Sequence, residues 1–233
     1  MSVGVRSRCT ARVAPSTPPA LVLPSSPPAT DVQAVRRCPT QSLTVTMDRL
    51  PPNVALVPID VQQAFNDPRW GERNNPDAEA RAAELLRAWR ASGRPIVHVQ
   101  HVNPRPGSLF NPGGPGVPPK PEARPEAGEP VITKDVNSAF IGTDLEAHLR
   151  SAGITTLVLF GLTTDHCVST TARMAGNLGF DTYVVADATA TFERTAPSGR
   201  HYTAQEMHDT ALTSLSGEFA TVVDAADVLA ALR

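Results

Sequence analysis

Short apolar runs recur from Val54 to the C-terminus, each closed by a turn residue and separated from the next by a longer stretch with helical spacing. The runs are Val54 to Ile59, Pro95 to Gln100, Val131 to Thr133, Thr155 to Phe160, Thr182 to Ala186 and Ala220 to Val223. Between them the spacing predicts helices over Pro76 to Ser92, Asp144 to Ala152, Asp165 to Leu178 and Thr203 to Leu215, the last three closing on Gly153, Gly179 and Gly217, with a short helix over Asp224 to Leu232 at the end. Strand and helix in alternation is the signature of crossovers that build a parallel sheet. Near-continuous apolar strands further imply that both sheet faces are covered. The expected fold class is therefore α/β, a three-layer α/β/α sandwich around a mostly parallel, roughly six-stranded Rossmann-like sheet, with ligands bound beyond the carboxyl ends of the strands.

Two segments break this rhythm. Residues 1–46 carry Pro15, Pro18, Pro19, Pro24, Pro27 and Pro28 among Ser, Thr and Ala with no apolar period, which predicts a disordered Pro/Ser-rich tail ahead of a single folded domain over residues 47–233. The tail's one apolar run, Ala20 to Leu23, is far shorter than a secretory core, so neither export nor a membrane span is expected. Met47 stands just before the first strand, and the tail also reads as an upstream extension that the folded domain does not need. The second segment, Asn103 to Pro130, is rich in Pro and Gly and long for a connection; it reads as a lid or pocket wall, or as a mobile surface excursion.

Composition adds exclusions. A formal net charge of -2 and scattered basic residues give no footprint for nucleic acid. Three well-separated cysteines, Cys9, Cys38 and Cys167, form neither a disulfide framework nor a zinc ligand set and fit a reducing, cytoplasmic setting. A P-loop, a G-x-G-x-x-G after a strand and a G-x-S-x-G elbow are all missing from the sequence, so nucleotide and serine-hydrolase readings lose their support.

Candidate chemistry sits at three strand ends. Asp60 follows the first strand, where a carboxylate faces the ligand edge, although capping a turn is the commoner job of such a residue. Lys134 follows the third run and is either a crevice cation or an exposed loop lysine. Cys167 lies in T-L-V-L-F-G-L-T-T-D-H-C-V, a strand, a Gly-containing turn and a helix start. In a first helical turn, free N–H groups and the helix dipole favour thiolate, and a nearby ammonium would favour it further. The alternative is a buried structural cysteine, which leaves the polar T-T-D-H lead-in unexplained. His166 is set aside as the base, because adjacent helical residues point roughly 100° apart. His98 and His101 follow no zinc spacing and read as structural.

Taken together, D-V-Q-x-x-F at Asp60 to Phe65, K-x-x-x-S-A-F at Lys134 to Phe140 and G-L-T-T-D-H-C-V at Gly161 to Val168 resemble the isochorismatase-like cysteine hydrolases, from about Val54 to the C-terminus. The resemblance implies a catalytic triad of Asp60, Lys134 and Cys167, a cis peptide between Leu162 and Thr163, and oxyanion donors in the backbone N–H groups of Thr163 and Cys167. It places Phe65 and Phe140 in the substrate pocket, calls for no cofactor and no metal, and implies a small-molecule substrate and a homo-oligomer, dimer or tetramer. The implied reaction is hydrolysis of an amide or lactam C–N bond through a thioester. D-P-R-W-G at Asp67 to Gly71 and S-A-F-I-G-T-D-L-E at Ser138 to Glu146 look most like the subgroup containing streptothricin hydrolase, which opens a lactam and would connect the chain to antibiotic resistance. The alternatives are vinyl-ether hydrolysis of the isochorismatase type, a nicotinamidase or ureido-acid amidase, and a non-catalytic small-molecule binder. The metal-containing nicotinamidases carry a D-x-H-x-x-H-like cluster, which H-V-Q-H-V-N-P-R-P-G-S after the second strand does not supply.

Overall fold

All six residues of β1 (Val54–Ile59) are buried, and they alternate between two separate apolar cores. Val54 and Leu56 face one core, with α1 (Ala78–Ser92) and α5 (Ala225–Ala231); Ala55, Val57 and Ile59 face the other, with α2 (Leu145–Ser151), α3 (Ser169–Asn177) and α4 (Ala204–Leu215). A strand that must be apolar on both faces reads as a continuous run, which is why the period-two alternation is missing from the sequence. The computed structural model describes residue 47 and residues 49–232; the predicted disordered tail, residues 1–46, lies outside the described residues. Among the described residues no helix is long and apolar enough to cross a membrane.

The sheet is six-stranded and wholly parallel, in the order β3 (Val131–Lys134), β2 (His98–His101), β1, β4 (Thr156–Leu162), β5 (Asp181–Ala190) and β8 (Thr221–Val223). The chain runs outward from β1 through β2 to β3 and then returns to the other side of β1, so β1 and β4 flank the switch point where such sheets open a crevice. A short antiparallel pair, β6 (Arg194–Thr195) and β7 (His201–Tyr202), follows β5 and carries no apolar run that would have announced it.

Element boundaries differ from the sequence expectation where polar chemistry intervenes. The strand expected over Thr182 to Ala186 continues to Ala190, and the helix expected over Asp165 to Leu178 opens instead with a π-type turn, Thr164–Val168, before α3 begins at Ser169. Gly161, paired with Ile59, has φ 129, and a Cβ there would lie 1.9 Å from the Ile59 carbonyl oxygen. Because that oxygen belongs to the central strand, it has no room to retreat. Gly161→Ala is expected to destabilise the domain by at least about 2 kcal/mol, read as a lower denaturant midpoint at unchanged m.

Residues 103–130 form a wall whose base is pinned. Ala64 N–H donates to the Gly116 carbonyl at 2.9 Å, Gln63 N–H to Pro118 at 3.0 Å, and Lys120 N–H to Val61 at 2.9 Å. Lys120 also pairs with Glu79, whose carboxyl is held down at about 2, against its burial, by Arg73 and Lys120. The wall thereby brings Asn103, Leu109 and Phe110 to the crevice.

Candidate active site

Parallel register puts the three strand-end residues side by side. His101 and Lys134 are Cα partners on β2 and β3, and the Asp60 N–H donates to the Val99 carbonyl at 2.9 Å, carrying the β1 end alongside. Asp60 itself adopts φ 52, a left-handed backbone that a non-glycine residue holds at some cost and that recurs at functional sites. It is fully buried, and Lys134 is nearly so.

Lys134 is the hub. Its ammonium donates to Asp60 Oδ2 at 2.6 Å, to Cys167 Sγ at 3.3 Å and to His101 Nδ1 at 3.2 Å, so three N–H donors meet three acceptors. The structure thus brings Asp60, Lys134 and Cys167 together and adds His101, which reads as structural from its sequence spacing alone. His98, by contrast, binds Glu129 at 2.8 Å beside Arg90 and remains a fold residue. Gln62 fixes His101 on both sides of its backbone: Nε2 donates to the His101 carbonyl at 2.9 Å, and Oε1 accepts from its N–H at 2.8 Å. The second hydrogen of that amide reaches Val117 at 2.8 Å and ties the wall to the same point.

The electrostatics revise the expected thiolate. Burial pushes the Cys167 thiol up, and the neighbouring Asp60 charge pushes it further, against the pull of Lys134. Burial likewise raises Asp60, with Lys134 opposing. Burial thus disfavours the charged form of both groups, and the carboxylate is a stronger base than an exposed aspartate. Desolvation inside the π turn and the neighbouring Asp60 charge oppose the thiolate that a first helical turn favours. His101 is held low by burial and then by Lys134, which keeps its ring neutral and able to accept.

The turn that carries Cys167 is clamped from behind. Asp165 accepts from Arg194 Nε at 2.7 Å and from the Thr191 hydroxyl, and Thr164 shares a 2.8 Å hydrogen bond with buried His208. His166 points along the cleft wall, with Nδ1 3.5 Å from Arg194, a local polar role in line with its rejection as the base. The Leu162–Thr163 peptide bond is cis, and Thr163 lines the cleft beside Cys167.

These groups open on a cavity of about 430 Å³. Its apolar side is an aromatic cluster: Phe65 lies 5.2 Å from Trp70 and 5.3 Å from Phe110, and Phe192 stacks behind both Phe65 and Trp70. Phe65 lines the cavity. Phe140 does not; its ring stacks on Phe180 at 5.8 Å, away from the cleft, because the S-A-F segment turns its last side chain into the apolar layer under α2. The cleft is also lined by Trp70, Phe110, Asn137 and His101. Trp70 and Phe110 sit in irregular segments whose direction no period reveals, while the His101 position follows from pairing β2 with β3 in register. Among the described residues, Asp60, His101 and Cys167 are the group whose donor atoms, all within 4.8 Å of one another, have the chemistry of metal ligands; the Lys134 ammonium is bonded to all three and is the cation they surround.

The sequence and the fold have counterparts. The isochorismatase family protein YrdC of Bacillus subtilis is 48% identical over 169 residues, covering 72% of this chain and 90% of the relative. A crystal structure of an isochorismatase-family protein from Chromobacterium violaceum superposes with a TM-score of 0.79 at 46% identity, over 82% of this chain and 98% of that one. Streptothricin hydrolase of Streptomyces noursei is 34% identical over 142 residues, covering 60% of this chain and half of that longer protein. The Isochorismatase domain matches residues 54–227, from the first strand into the last helix, and with that span the chain belongs to the isochorismatase family of hydrolases.

Proposed function

We propose that this hydrolase cleaves a C–N bond of a small amide or ureide through a thioester on Cys167. The observation that carries the reading is one ammonium, Lys134, bonded at once to a buried carboxylate and a buried thiol at the floor of a cleft. A thiol needs a base before it can attack, and Asp60 has a carboxylate oxygen, Oδ1, with no partner among the described residues. Asp60 takes the proton from Sγ while Lys134 stabilises the thiolate. Sulfur then bonds to the carbonyl carbon, and the backbone N–H groups of Thr163 and Cys167 receive the oxyanion. The C–N bond breaks as Asp60 returns the proton to nitrogen, and the amine leaves. Water, deprotonated by Asp60, attacks the thioester, releasing the acid and restoring the thiol.

Intact-mass analysis of the protein mixed with primary amides, lactams and ureido acids tests this, the expected result being an acyl adduct on Cys167 that decays with turnover. Vinyl-ether hydrolysis needs no such adduct, so turnover of an enol ether with an unmodified cysteine would favour that reading instead.

The pH profile follows from Asp60. The base works only when ionised, and burial raises its pKa, so kcat/KM is expected to fall as pH drops through a limb that lies above the ordinary aspartate value of about 4. His101→Gln removes the titrating imidazole in contact with Lys134 and should leave that limb in place. A limb that vanishes in this variant would assign it to His101.

A further inference from the structure

Helix α4 buries a stripe of Ala204, His208, Leu212 and Leu215, and the polar member of it is a histidine. A polar ring taken out of water costs stability unless it is hydrogen-bonded. Both ring nitrogens have a neighbour: Nδ1 lies 2.8 Å from the Thr164 hydroxyl, and Nε2 lies 3.5 Å from the Asn75 amide nitrogen. Asn75 holds φ 44 and spends its two amide hydrogens on the carbonyls of Ala186 at 3.0 Å and Thr189 at 2.7 Å. That nitrogen accepts nothing, so a hydrogen on Nε2 would face no acceptor. Burial holds the His208 pKa low and the ring neutral, and its one hydrogen therefore sits on Nδ1 and is donated to Thr164 Oγ1.

Thr164 is fully buried and opens the π-type turn that carries Cys167. The Thr163 carbonyl just before it accepts the N–H groups of His166 and Val168, both at 3.2 Å. The start of the turn is thus tied to its own end through the backbone and to α4 through the Thr164 side chain. Neither Thr164 nor His208 lines the cleft. Building on the thioester reading above, we infer that His208 is a positioning residue: through Thr164 it fixes the backbone that presents the Thr163 and Cys167 N–H groups to the oxyanion. Such donors must lie roughly 2.7–3.1 Å from the developing charge, and a misplacement of ~1 Å costs on the order of 10²-fold in rate. An apolar side chain in place of the imidazole fills the space but leaves Thr164 Oγ1 unheld. The sulfur itself does not depend on this link, because Lys134 reaches Sγ and Asp60 from the far side, at the ends of β3 and β1. The course of the turn also survives, since Asp165, one residue on, is held by Arg194 and Thr191.

Peptide mass spectrometry at Cys167 compares two reactions of the intact protein. In the first, 4-nitrophenyl acetate acetylates Sγ: the Sγ proton passes to Asp60, the S–C bond forms through a tetrahedral oxyanion, and 4-nitrophenolate leaves. In the second, iodoacetamide alkylates the same sulfur by displacement of iodide at a saturated carbon, which builds no oxyanion. His208→Leu and Thr164→Val should each slow acetylation by at least about tenfold while changing alkylation by less than about twofold. His208→Asn, whose amide nitrogen takes the place of Nδ1, should bring acetylation back to within about threefold of wild type. Thr164→Val deletes only the hydroxyl at nearly constant volume, so it carries the comparison even where His208→Leu fails to fold. Acetylation unchanged in Thr164→Val would overturn the inference. So would acetylation and alkylation falling together, or His208→Asn as slow as Thr164→Val. A wild-type protein alkylated but never acetylated at Cys167 would instead overturn the thioester reading, and the inference with it.

Discussion

Cys167→Ala should lower kcat/KM for any amide substrate by at least about 10⁴-fold and abolish the acyl-enzyme mass, while leaving the fold intact. The size of the effect follows from the cleft. Without sulfur the remaining groups, a carboxylate paired to an ammonium and a set of backbone donors, can at best orient water, and Asp60 lacks a nucleophile placed against the carbonyl. The fold should survive because Cys167 is a small side chain at the cavity surface, so truncation extends an existing space instead of opening a void in the core. Thermal unfolding should shift by only a few degrees, which separates loss of chemistry from loss of structure. Turnover undiminished in the alanine variant would sink covalent catalysis and move the balance to vinyl-ether hydrolysis, where the scissile group needs protonation more than a nucleophile.

Labelling gives a second view of the same residue. With the thiol pushed up by burial and by Asp60, iodoacetamide at neutral pH should alkylate Cys167 more slowly than it alkylates free cysteine. This reverses what the strand-to-helix junction suggested by itself. The sequence places Cys167 after a buried strand, which holds, and in the first turn of a helix, whereas α3 begins two residues later at Ser169. It could not show that the first turn is a π turn, or that the thiol is buried against a carboxylate from β1, because those depend on which strands pair. Asp60 and Lys134 were legible since each ends an apolar run, and runs in parallel sheets end at one edge. His101 was within reach of the same argument, but its significance rests on a register that periodicity does not give. The aromatic side of the pocket was the least legible part. Trp70, Phe110 and Phe192 come from three irregular segments, and Phe140, named with Phe65 on motif grounds, turned into the apolar layer instead. Fold class followed from the order of runs, since burial on both faces leaves its mark as unbroken apolar stretches; the β6–β7 pair left none.

The second large effect concerns the buried ion pair. Lys134→Met should abolish activity and also destabilise the domain by about 3–5 kcal/mol at neutral pH, roughly 6–20 °C in Tm for a domain of this size. The pair is closed off from water, with side-chain exposures of 0% and 1%, so removing the ammonium strands the Asp60 carboxylate in a desolvated site. Its pKa must then rise well beyond the value that burial already imposes, because the opposing pull of Lys134 is gone. A carboxyl whose folded pKa exceeds its unfolded value of about 4 binds protons more tightly when folded. Its contribution to stability is complete below about pH 4 and is lost as pH climbs through the folded value. The deficit of Lys134→Met relative to wild type should therefore be small in acid and keep growing toward neutrality, where the much smaller deficit from losing an exposed salt bridge would have levelled off just above pH 4. Combining Asp60→Asn with Lys134→Met removes both charges and should recover at least half of the lost stability at pH 7 without recovering any activity. A double variant no more stable than Lys134→Met, or a single-variant deficit independent of pH, would show that the lysine stem packs the crevice and that its charge contributes little to stability. Recovery of stability without activity would separate the two roles of Lys134: neutralising Asp60 in the resting protein, and holding the sulfur as a thiolate once its proton has moved.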